Sequence, residues 1–147
     1  MMDENNTGAI YEFGKEIIID ARDSAIRGME AFLKGTVIGR IEKKIFKEVK
    51  KMNFDERQQK IITLLVAEGI DAVMHSLFVN FDESFDKYKI IAKDKKGNDF
   101  NIVTESDGLP LGYYEFIDEF SKYKSSCDIV EEDISDKNWK LEKDSRE

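Results

Sequence analysis

The sequence predicts an α+β fold, three main helices packed with a β-hairpin and a short C-terminal helix, on three observations. Apolar residues recur at three- and four-residue steps through about the first 80 positions, two β-prone runs then flank a glycine turn, and an aromatic segment returns to helical spacing.

The first helix is expected from about Ala9 to Lys34, where Ile10, Phe13, Ile17, Ala21, Ala25, Met29 and Phe32 share one face. The opposite face carries Glu16, Asp20, Asp23, Arg27, Glu30 and Lys34, with Asp23 to Arg27 and Glu30 to Lys34 spaced as favourable ion pairs. Asp20 and Asp23 therefore read as solvated, and Gly35 ends or kinks the helix. A second stripe, Ile38, Ile41, Ile45, Val49 and Met52, predicts a helix from about Val37 to Met52, with lysines near its C-terminal end, where they suit the helix dipole. Asp55 is placed to N-cap a third helix, with Gln58 three residues on as in a capping box.

That third helix, about Glu56 to Val79, is apolar over most of its circumference, so it is expected to be the buried structural centre, Leu65 and Val73 included. Its polar positions Arg57, Glu68, Asp71 and His75 fall in a narrow sector, either a wet edge or a site. The runs YKIIAK and FNIVTE around DKKGND predict a hairpin with Gly97 at a positive-φ turn position. Two strands alone are marginal in water, so this hairpin must lie against the helices. After a loop containing Pro110, the residues Tyr113, Phe116, Ile117, Phe120 and Tyr123 share a face of a short helix from which Tyr114 points away.

Residues 1–124 thus read as one domain. From Ser125 onward eight acidic residues stand against four basic ones with little periodicity, and this segment, 125–147, is expected to be a flexible or loosely docked acidic tail. The formal net charge of −8 argues against nucleic-acid binding, which depends on clustered Lys and Arg, and favours salt-sensitive association with a basic partner. Cys127 is the only cysteine, which excludes an internal disulfide. No signal segment or membrane span is read from the pattern, so the expected compartment is the cytoplasm.

Candidate chemistry centres on Glu68, Asp71 and His75, whose spacing brings carboxylate and imidazole groups together on one helix. With Asp20 and Asp23 facing them they would form the ligand set of a metal-dependent hydrolase, in which metal activates water. The competing reading is a solvated helix edge. His75 is the single histidine and no nucleophile elbow accompanies it, and Gly35, Gly39, Gly108 and Gly112 lack a phosphate-loop context. No catalytic residue, metal or cofactor is therefore assigned. The aromatic C-terminal helix offers a third reading, a regulatory module that self-associates as a homo-oligomer.

The segment GIDAVMHSLFVNF, followed by a hairpin and by SDGLPLGYYEFIDEFSKY, resembles small bacterial proteins of the immunity type, which partner toxins in polymorphic and contact-dependent systems. The resemblance covers the layout of about residues 9–124. It implies an acidic cytoplasmic protein that neutralises a toxin by binding it, without enzymatic activity of its own. Charge and position offer Asp20, Asp23, Glu68, Asp71, His75 and Tyr114 as the residues that meet such a basic protein partner.

Overall fold

The computed structural model describes residues 4–36, 40–94, 96–106, 108–129, 134–136 and 138–143. Among the described residues the chain is mostly helical with one two-stranded antiparallel sheet, which agrees with the predicted α+β class at a coarse level.

The first predicted helix is three consecutive helical pieces: α1 (Glu4–Glu16), a π-helical segment (Ile17–Asp23) and α2 (Ser24–Leu33). A π turn inserts a residue into the helical repeat. The register therefore shifts, and Arg22 and Asp23, adjacent in sequence, are both buried with Ile18. Gly35 closes α2 at a φ of 77°, with the Gly35 N–H donating to the Phe32 carbonyl and the Thr36 N–H to that of Ala31. This is a Schellman cap, for which glycine is the ordinary residue because it tolerates positive φ.

The second predicted helix is α3 (Arg40–Met52); its expected start at Val37 lies outside the described residues. The capping box forms as expected: Asp55 Oδ1 accepts from the Gln58 N–H at 2.8 Å and Gln58 Oε1 from the Asp55 N–H at 2.9 Å. It opens α4 (Glu56–Glu83), the longest element, which packs against α2 and α6. Its burial all round is corrected. Thr63, Ala67, Asp71 and Phe78 point inward, whereas Leu65 is 65% and Val73 66% exposed. By length and composition α4 would also suffice to cross a membrane, as core helices often do.

The hairpin is present but shorter than predicted: β1 (Ile91–Lys93) pairs with β2 (Asp99–Asn101), with Ile91 opposite Asn101 and Lys93 opposite Asp99. Gly97 takes its positive φ in the turn. Asn101 ends the second strand, because its side-chain oxygen accepts from the N–H groups of Ile90 and Val103 and so N-caps α5 (Ile102–Glu105). The IVTE run read as strand is thus helical. Ile90, Ala92 and Phe100 pack on the helical core, as a two-stranded sheet requires.

The last helix, α6 (Leu109–Phe120), carries Pro110 in its first turn, where the missing N–H costs nothing. Tyr113 and Ile117 are fully buried, and the Phe116 ring lies over Gly14 where no side chain would fit. A larger core cluster joins Ile10, Ile18, Phe78, Ile102, Val103, Leu109, Tyr113 and Ile117.

A second cluster overturns the expectation of a loosely docked tail. Trp139 and Leu141 are buried with Ile26, Ala67 and Tyr123, and Ile129 packs at its margin. The backbone supports this docking: the Lys124 N–H donates to the Leu141 carbonyl and the Lys143 N–H to that of Lys122, both at 2.8 Å. Between these strands of chain a 3₁₀ turn (Ser126–Asp128) is capped by Ser125. The acidic residues of this segment obscured three inward-facing apolar ones, since a few well-placed large side chains outweigh a solvated background. Val130 and the last four residues lie outside the described residues.

Candidate functional site

The six residues singled out from sequence separate into three places. Asp23 and Asp71 are the first. Both are almost completely buried, 1% and 2% exposed, around Arg22, which is 0% exposed. Arg22 Nε and Nη2 donate to the two Asp71 oxygens at 2.6 and 3.0 Å, Nη1 donates to Asp23 Oδ1 at 3.3 Å and to Ser121 Oγ at 2.9 Å, and Nη2 also donates to the Lys124 carbonyl at 3.0 Å. All five guanidinium donors are therefore matched.

The carboxylates are equally occupied. Asp71 accepts from the hydroxyls of Tyr113 at 2.8 Å and Ser126 at 3.1 Å, and Asp23 from the Ser121 hydroxyl at 2.6 Å and the Lys122 N–H at 2.9 Å. Burial alone would lower the Arg22 pKa, but hydrogen bonding and attraction from Asp71, with Tyr113 and Asp23 behind them, raise it. Burial, then the charge of Asp71, pushes the Tyr113 phenol well above its ordinary value.

This network corrects two expectations. Asp23 and Asp71 are not surface acids offered to a partner. Nor do they converge with Glu68 and His75 on a cation, because the Arg22 guanidinium already holds the position between them. Among the described residues no three Asp, Glu, His or Cys side chains are grouped to hold a metal ion. The pairs expected on the first helix are also replaced: Asp23 turns inward from Arg27, and Glu30 accepts from the Tyr123 hydroxyl at 3.2 Å.

Glu68, His75 and Tyr114 form the second place, along one flank of α4. His75 and Tyr114 are half-buried with ring centroids 5.6 Å apart, and Glu68 is exposed. Tyr114 does not point freely outward, since it packs on the larger core cluster. Its phenol is pushed up to about 12 by burial, by a hydrogen bond with the exposed Cys127, and by the negative charges of Asp71 and Glu68. Beside this flank the outer face of α4 presents Leu65, Gly69, Ala72, Val73, Ser76 and Leu77.

Asp20, in the third place, is exposed on the π-helical segment, and Glu12 and Glu16 are exposed on α1. The structure adds a neighbour that helical spacing within one segment does not reveal. The Tyr11 hydroxyl donates to Glu119 at 3.0 Å and its ring meets Phe120 edge-on at 4.6 Å, which brings α1 alongside α6. Glu115, Asp118 and Glu119 are exposed on α6, Glu12, Lys15 and Glu16 on α1, and Asp20 on the π-helical segment. The hydrogen bond to Glu119 raises the Tyr11 pKa, the first mark of that negative surrounding.

No family model, curated protein or solved structure matches the chain.

Proposed function

We propose that this chain is a non-enzymatic protein-binding domain of the immunity type, which neutralises a basic toxin domain in the cytoplasm by docking on it through the acidic side formed by α1 and α6. The observation that carries this reading is the Tyr11–Glu119 hydrogen bond, because it brings α1, with Glu12 and Glu16 exposed, alongside α6, with Glu115, Asp118 and Glu119 exposed. Such a surface speeds encounter with a cationic partner and rejects acidic ones. The net charge of −8 acts in the same direction. The carboxylates nearest to a catalytic arrangement, Asp23 and Asp71, are instead committed to Arg22 inside the fold.

The test is rescue of growth. Neighbouring genes are screened for a basic domain that arrests growth when expressed alone, and that domain is then expressed with the wild-type chain or with the triple variant Glu16→Lys, Asp20→Lys, Glu119→Lys. Wild type restores growth and copurifies with the toxin, and the triple variant, folded by circular dichroism, does neither. Equal protection by both, or none by either, defeats the proposal.

A further inference from the structure

We draw no further inference here: the strongest candidate, the exposed apolar face of α4 at Leu65, Val73 and Leu77, carries none because nothing in the structure shows what covers it.

Discussion

Arg22 and Asp71, 49 residues apart in the chain, meet through two parallel hydrogen bonds of 2.6 and 3.0 Å with essentially no access to water. This contact ties the π-helical segment to α4 at the level where the two apolar clusters meet: Ile18 and Phe78 lie on one side of it, Ile26 and Ala67 on the other. Removing one partner strands the other's charge in the interior. Asp71→Ala should cost about 3–5 kcal/mol in urea melts, and Arg22→Met a similar amount. The double variant Arg22→Met, Asp71→Leu should be distinctly more stable than the sum of the single losses implies. Additive losses would mean that the pair is not coupled.

The C-terminal segment is expected to behave as part of the fold. Asp71 also accepts from Ser126, so the network itself holds the chain beyond α6 in place. Trp139→Ala should lose about 3–5 kcal/mol, as large aromatic truncations in a core do. Deleting residues 125–147 should lower the urea midpoint by more than that single change. A truncated chain that melts with the full one would show that Trp139 and Leu141 contribute nothing.

Much of the layout was legible because it rests on local chemistry. The Asp55–Gln58 box, the Gly35 stop and the Gly97 turn each depend on residues within a few positions, and helical periodicity found α4 and α6. The inward turn of Asp23 was not legible, since counting at 3.6 residues per turn cannot register the extra residue of a π segment. Asp71 did leave a signal: Ala67, Asp71, Met74 and Phe78 share the spacing of one face, and that face is the inner one. Polarity misled there, as it did in the tail, where the alternation Trp139, Lys140, Leu141, Glu142 is a short strand-like pattern with its apolar members inward. The approach of α1 to α6 depends on a contact 108 residues apart, Tyr11 with Glu119, which no local pattern encodes.

Burial, not hydrophobicity, decides which α4 and first-helix residues matter for stability. Ile18→Ala should cost about 2–5 kcal/mol, because Ile18 is fully buried. Leu65→Ala should stay within about 0.5 kcal/mol, because Leu65 is 65% exposed. Comparable losses at the two sites would contradict the outward orientation of Leu65.

Four of the five tyrosines are held above the ordinary phenol value: Tyr11 chiefly by its bond to Glu119, Tyr113 by burial and Asp71, Tyr114 by burial and Cys127, and Tyr123 by burial and Glu30. A raised folded-state value means that the fold favours the neutral phenol. That contribution is complete below the unfolded value of about 10 and is lost as pH rises through the folded values. Stability should therefore decline above about pH 10. Absorbance at 295 nm should show most phenols ionising late and together with loss of the helical signal. Ionisation of all five near pH 10 with the helices intact would contradict the buried placement of Tyr113 and Tyr123.

The most direct test of the proposed binding role is the association rate with a growth-arresting basic domain sought among the products of neighbouring genes, followed by stopped flow as salt is raised. Exposed charges are screened beyond about 10 Å at 0.1 M salt, so the rate should fall about tenfold or more between low and high salt while dissociation changes little. The triple variant Glu16→Lys, Asp20→Lys, Glu119→Lys should begin slow and respond weakly to salt. An association rate that is flat with salt, and equal in the wild type and the triple variant, would contradict the role assigned to the acidic side of α1 and α6.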